Sequence, residues 1–211
     1  ILQEDLDKLT DWADRWQLRF NAGKCKVLHV GRNNPNYNYT MASGGNRVEL
    51  ERTVLEKDLG INVDPELKFS RHIELQVNKA NKILGLVRRS YEYLDADTMK
   101  RLFTALIRPH IEFSNVAWSP RLEKDKKMLE RVQHRATKLV PELQELPYEE
   151  RLRRMRLPSL SYRRARGDMI EVYKYTHQYY TVNEDLLPRD TSVVTRGHPY
   201  KLKKRYTRTA T

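Results

Sequence analysis

There is almost no cysteine in this chain of 211 residues: Cys25 stands alone, so no internal disulfide can form and no CxxC pair is available to a metal. A lone thiol suits a reducing compartment. No stretch comes near the ~18 consecutive apolar residues of a membrane span, and no basic-then-apolar signal segment opens the chain. The expectation is therefore an intracellular protein, nuclear or cytoplasmic, without a membrane partner. The G-x-S-x-G elbow, the Walker loop and the dinucleotide fingerprint are all missing. The histidines, at 29, 72, 110, 134, 177 and 198, form no HExxH. Cys25 and His29, four apart, would lie about 13 Å from each other along a strand, so no zinc site is expected. Nor do two aspartates stand side by side anywhere between Ile1 and Thr211.

What the chain does have is positive charge, unevenly placed. Its net charge is +12 with 39% hydrophobic residues, enough to build a core. Residues 1–70 carry 10 Lys and Arg against 11 Asp and Glu, whereas residues 71–211 carry 30 against 17. A basic surplus confined to one region is the footprint of a surface that meets phosphates.

Hydrophobic periodicity divides the chain in the same way. Leu2, Leu6, Leu9, Trp12, Ala13 and Trp16 recur at three- and four-residue steps, which predicts a helix over residues 1–18 with one apolar stripe. Asn21, Ala22 and Gly23 break it, and residues 25–30 alternate as a strand does. Segments 37–42 and 47–53 flank Ser43-Gly44-Gly45-Asn46, a hairpin signal, and residues 59–63 read as a short last strand. From Ser70, a candidate N-cap, the pattern is helical. Ile73, Val77, Ala80, Ile83, Leu84 and Val87 mark the first face. A second helix, capped by Asp95 or Asp97, carries Met99, Leu102, Phe103, Leu106 and Ile107 inward before Pro109 kinks or ends it. A third, after Pro120, turns Leu122, Met128, Leu129, Val132, Ala136 and Leu139 inward and stops at Pro141. Pro147 opens a short helix with Leu152 and Met155, and Ser159 caps a last one running toward His177. Residues 181–211 lose periodicity and read as a basic, partly disordered tail. The fold class is α+β, a small sheet followed by a helical bundle, with the joint near Asp64 to Ser70.

Three stretches carry a resemblance. Trp16 to Lys26, W-Q-L-R-F-N-A-G-K-C-K, resembles polymerase motif D of the reverse transcriptases of non-LTR retrotransposons, matching at Phe20, Asn21, Lys24 and Cys25. Glu56 to Asp64, E-K-D-L-G-I-N-V-D, resembles motif E of the same enzymes, the hairpin that holds the primer end. The helical blocks N-K-A-N-K-I-L-G-L-V-R-R (78–89), L-I-R-P-H-I-E-F-S-N-V-A-W-S-P (106–120) and L-E-R-V-Q-H-R-A-T-K-L-V (129–140) resemble the region after the palm in jockey and chicken-repeat type elements. The resemblance covers about residues 1–180.

That resemblance implies a truncated palm-like antiparallel sheet with one flanking helix (1–64), a thumb-like helical bundle (65–140), C-terminal basic helices (141–180) and the basic tail (181–211). It implies that Lys24 lies near the triphosphate, where an ammonium offsets charge on departing pyrophosphate, and that Leu59 and Gly60 grip the primer. Lys79, Lys82, Arg88 and Arg89 would contact the duplex backbone. The Arg-dense stretch containing Arg153, Arg154, Arg163 and Arg164 is a second candidate nucleic-acid surface, because guanidinium groups make bidentate phosphate contacts. The implied partners are an RNA template, a DNA primer and the upstream palm and fingers of the same polyprotein. An intact polymerase of this kind uses Mg held by palm aspartates, one in a Phe/Tyr-Ala-Asp-Asp turn. With no Asp-Asp pair, this chain is expected to hold no cofactor and not to polymerise DNA alone. The start at Ile1, directly on a helix pattern, predicts a partial reading frame. The alternative is a non-catalytic RNA- or DNA-binding module retained by a host.

Overall fold

The computed structural model describes residues 1–43, 45–181, 186–190 and 200–203, which fall into two compact units, Ile1–Ser161 and Tyr162–Thr211. In the first unit the order is α1 (Leu2–Arg15), β1 (Lys26–Leu28), β2 (Thr40–Ser43), β3 (Asn46–Glu49), β4 (Glu51–Thr53), β5 (Glu56–Asp58), β6 (Ile61–Val63) and then helices. These are α2 (Ser70–Ser90), α3 (Ala96–Leu102), α4 (Arg108–Glu112), α5 (Asn115–Trp118), α6 (Glu123–Thr137), α7 (Tyr148–Met155) and the start of α8 (Leu160–Thr176). The class is α+β, as expected from the change of period at Ser70.

The strands depart from the expected single antiparallel sheet. They form three separate two-stranded ladders: β1 with β4, β2 with β3, and β5 with β6. The β1–β4 ladder is parallel, Lys26 opposite Glu51 and Leu28 opposite Thr53. The β2–β3 hairpin closes with Ser43 opposite Asn46, and Gly45 takes a φ of +85° there, as the Ser-Gly-Gly-Asn signal requires. Around these ladders a small cluster of Ala22, Met41 and Leu50 is buried, joined by the half-buried Leu6, Phe20, Cys25, Val27 and Tyr39. So small a cluster covers one side of α1, through Ala13 and Thr10, and leaves the other side open. Leu2, Leu9, Trp12 and Trp16 are exposed, Trp16 by 67%.

The helices build a much larger core. Ile73, Val77, Ala80, Leu84 and Val87 of α2 pack with Leu129, Val132 and Ala136 of α6, at the positions that periodicity assigns to the inner faces. Asp95 caps α3, its carboxylate accepting from the Thr98 N–H at 2.8 Å. From α3 onward the buried residues Met99, Phe103, Ile107 and Ile111 recur every four positions. An α-helix turns about 100° per residue, so four-residue steps drift by ~40° and Ile111 would fall ~120° off the line of Met99. The chain absorbs this drift in a π-helical turn over Phe103–Ile107. That turn sits where Pro109 has no N–H to offer the Ala105 carbonyl, so the helix passes through the proline instead of ending. Leu106, expected inward, lies off the four-residue line and is exposed. Leu122, also expected inward, precedes α6 and is exposed too. At α8 the Glu130 carboxylate of α6 accepts from the backbone N–H groups of Leu160 and Ser161, each at 3.2 Å, and from the Tyr148 hydroxyl at 2.6 Å.

The β5–β6 hairpin is fastened to this core rather than to the other strands. Ile61 packs against it, and the Asn62 N–H donates to Nδ1 of His72 at 3.2 Å. His72 is buried in α2, edge-on to Trp118 with ring centroids 5.1 Å apart. Burial, and then the Lys79 charge, push its pKa below the usual histidine value. A neutral folded imidazole paired with an unfolded one that protonates near about 6.5 means that the unfolded state binds more protons between the depressed folded value and 6.5. Stability is therefore full above that window and falls as pH drops through it. Urea midpoints measured from pH 8 down to 5 are expected to fall more steeply in the native chain than in His72→Gln, and parallel curves reject this role.

In the second unit α8 carries Tyr173, which stacks on His177 at 3.9 Å, and His177 stacks on Tyr200 at 4.2 Å. Arg189 lies over the Tyr200 ring and donates to the Thr176 carbonyl at 2.6 Å, and Arg189 and Leu202 pair in an isolated antiparallel bridge. Much of the stretch read as a disordered tail (182–185, 191–199 and 204–211) lies outside the described residues.

Candidate nucleic-acid interface

Where α2 crosses the end of α6, a groove of about 310 Å³ opens between them. Leu84 and Leu139 give it an apolar floor, and Arg88, Arg135, Lys138 and Asn81 line it together with Gly85. No carboxylate is among the lining residues. Arg135 is held in place by its Nη2, which donates to the Asn81 side-chain oxygen at 2.7 Å. Arg135 and Lys138 stand at the last turn and C-cap of α6, where the negative end of the helix dipole favours cations. Arg88 and Lys138 make no salt bridge with any described residue. A guanidinium of α2 and two cations of α6 thus converge on one concave surface whose field acids do not cancel. Such an arrangement neutralises phosphates without reading bases.

Gly85 helps to keep the groove open. It sits inside a 21-residue helix, where glycine costs about 1 kcal/mol relative to alanine. A Cβ there would meet only Nη1 of Arg89, at 3.6 Å, an ordinary contact. Gly85→Ala is expected to raise stability by roughly 0.5–1 kcal/mol in urea unfolding, whereas Gly85→Leu would fill the groove and weaken nucleic-acid binding. Equal binding by both variants rejects the groove as the contact surface.

The sequence-predicted residues distribute as follows. Arg88 meets Arg135 and Lys138 at the groove, and Arg89 is not among its lining residues. Lys82 and Arg89, both exposed and seven residues apart, share one outward line about 10 Å long on α2. Lys79 is exposed on the His72 side, apart from the groove. Lys24 ends the 3₁₀ turn Ala22–Lys24, exposed beside the small N-terminal cluster.

Leu59 and Gly60, read as part of a strand, instead form the two-residue turn between β5 and β6, with φ values of +45° and +89°. Positive φ at both central residues is the hallmark of a hairpin turn whose twist matches its strands. Leucine is ill suited to it, since its Cβ crowds the backbone in the left-handed region. This apolar side chain is nevertheless 87% exposed at the tip. A Cβ on Gly60 would lie 3.3 Å from Cε1 of Phe113, so the turn also rests closely on the loop after α4.

The arginines of the second candidate surface differ in their settings. Glu150 receives both Nε and Nη2 of Arg153, at 2.8 and 2.9 Å, and Nε of Arg154 at 3.0 Å. These two guanidinium groups hold the Glu150 carboxyl down to about 2. Arg151 is buried, packs over the Tyr148 ring and is pushed below the usual arginine value by burial. In the other unit Arg163 is half-buried and Arg164 buried. Arg153 and Arg154 thus share one carboxylate while their side chains stay 79% and 60% exposed, whereas Arg151 and Arg164 are buried. Sequence reading missed Arg135 and Lys138. Their signal was a pair of cations three apart in the last turn of a helix whose partner helix also ends in cations.

Among the described residues no three His, Cys, Asp or Glu side chains come together as metal ligands would, and no helix is long and apolar enough to cross a membrane. The chain matches no family model, no curated protein and no solved structure.

Proposed function

We propose that this chain grips a nucleic-acid duplex by its phosphate backbone, as the end of the palm and the thumb of a non-LTR retrotransposon reverse transcriptase would. The observation that carries this reading is the α2–α6 groove, where Arg88, Arg135 and Lys138 converge with no acid among its lining residues. The hairpin tip at Leu59 and Gly60 supports it: an exposed leucine in a backbone conformation that leucine disfavours is what a contact surface, rather than folding, would retain. In this reading the hairpin meets the primer end, and the open apolar face of α1, from Leu2 to Trp16, is where the preceding palm and fingers would pack. Lys24 would stand on the triphosphate side. The magnesium-dependent transfer itself belongs to aspartates that this chain does not contain.

Titrating the full chain with a labelled RNA–DNA hybrid at increasing salt tests the binding. The logarithm of affinity is expected to fall linearly with the logarithm of salt concentration, and a slope near zero rejects the reading. The absence of any Asp-Asp pair also favours a second reading, a non-catalytic RNA- or DNA-binding module. Primer extension by the chain joined to a palm with an intact Asp-Asp turn separates the two, since only a polymerase fragment restores synthesis.

A further inference from the structure

A second cleft, of about 300 Å³, opens where three distant segments meet: residues 30–32 after β1, 65–68 before α2, and 121–122 before α6. Its walls are aliphatic. Val30, Leu67 and Leu122 line it and stay 40%, 41% and 39% exposed, and Pro65 completes the apolar surface. The cleft is built in advance of any ligand. The Asp64 carboxylate accepts from the N–H groups of Glu66, Lys68 and Phe69 at 3.1, 3.1 and 2.7 Å, and the Gly31 N–H donates to the Pro65 carbonyl at 2.9 Å. Of the charged groups on its rim, Glu66 and Lys68 pair with each other. Arg32 and Arg121 are exposed and make no salt bridge or hydrogen bond with any described residue, although the Arg32 charge, after the hydrogen bond and charge of Lys68, helps to hold the Glu66 carboxyl below its usual value.

Apolar walls flanked by two guanidinium groups whose hydrogen-bond donors are free of described partners suit a ligand that is flat in the middle and anionic at its ends. The volume is at the low end of small-ligand pockets, which run from roughly 300 Å³. We propose that this cleft holds one unpaired nucleotide of a strand running beyond a duplex, with its base against the aliphatic walls and its flanking phosphates on Arg32 and Arg121. Guanidinium forks hold phosphate oxygens in pairs. The walls offer no hydrogen-bonding code, so any base is accepted. The inference rests on the nucleic-acid reading above and adds to it a single-strand subsite separate from the α2–α6 groove.

The test is fluorescence anisotropy of the full chain with a blunt RNA–DNA hybrid and with the same hybrid carrying a short single-stranded extension. The extension is expected to tighten binding about tenfold, the equivalent of one charge-assisted contact. In Arg32→Gln/Arg121→Gln the gain is expected to shrink to about twofold or less, with blunt-end affinity changed little. A control pair removing equal charge elsewhere, Arg101→Gln/Arg131→Gln, keeps the gain. Leu122→Trp, which fills the cleft but leaves both arginines, abolishes it. A gain that survives either cleft variant overturns the proposal. So does a native chain that binds the blunt hybrid but shows no gain, the result expected if the cleft instead takes an acidic, apolar peptide. Failure of the native chain to bind either hybrid overturns the duplex reading and this inference together.

Discussion

Replacing Arg88, Arg135 and Lys138 with Glu lowers affinity for an RNA–DNA hybrid by on the order of a hundredfold or more near physiological ionic strength, with the slope of affinity against salt shallower by about three units. The size follows from the groove's geometry. All three cations line one concave surface between α2 and α6, and no lining acid already neutralises them. Each phosphate contact releases condensed counterions, so three lost contacts remove nearly three units from the slope, and three carboxylates add repulsion. Arg135→Glu also places a negative charge in the last turn of α6, a cost of up to ~1 kcal/mol in stability. The Arg88→Gln/Arg135→Gln/Lys138→Gln variant avoids that cost and should reproduce the slope change with a smaller loss of affinity. Reversing Arg101, Lys124 and Lys127 instead removes as much charge from elsewhere, and equal losses from the two sets would reduce the groove to general attraction between a basic protein and a polyanion.

Trp118→Ala is expected to destabilise the first unit by about 3–5 kcal/mol, read from urea unfolding by circular dichroism. Proteins of this size stand only about 5–15 kcal/mol above their unfolded states, so such a loss leaves little reserve. The indole is wholly buried, meets His72 edge-on, and donates from Nε1 to the Phe113 carbonyl at 2.7 Å. Its removal leaves both a cavity and an unpaired carbonyl. Trp118→Phe keeps much of the volume but loses the hydrogen bond, at a cost of roughly 1–3 kcal/mol. Phe113 also touches the hairpin at Gly60, so the same substitution loosens the support of the Leu59 tip. A Trp118→Ala chain that unfolds at the native midpoint rejects this account of the core.

The helical part of the fold was legible in the sequence because its information is local. One heptad-scale pattern per helix, with Asp95 as a cap and proline before α6 and α7, places most of each inner face without knowledge of its neighbours. Leu106 and Leu122 nevertheless turn outward, and Ser70, read as an N-cap, is the first helical residue after Phe69. The strands were less legible for the opposite reason. The pairing of Lys26 with Glu51 joins residues 25 positions apart, and three-residue strands carry too few alternations to announce a parallel partner. The turn at Leu59 and Gly60 was hidden by its own chemistry, since a leucine followed by glycine, isoleucine and valine imitates a strand. The site divides the same way. Arg88 and Arg89 could be named from the helix they end. Arg135 and Lys138 become part of the groove only because α6 crosses α2, and the pairing of Arg153 and Arg154 depends on where the Glu150 carboxylate reaches.

The π-helical turn at Phe103–Ile107 houses one residue more than an α-helical turn would need, so this segment can change length as well as sequence. Ala105 and Leu106 face solvent and can be exchanged freely. Losing one exposed residue there would turn the π turn into an ordinary α-helical turn and leave Ile107 and Ile111 within about 40° of the line of Met99, because the buried spacing would become four, three and four. Relatives of this chain can therefore be one residue shorter across these five positions without a compensating change before Trp118, and such relatives should carry an unbroken α-helix there.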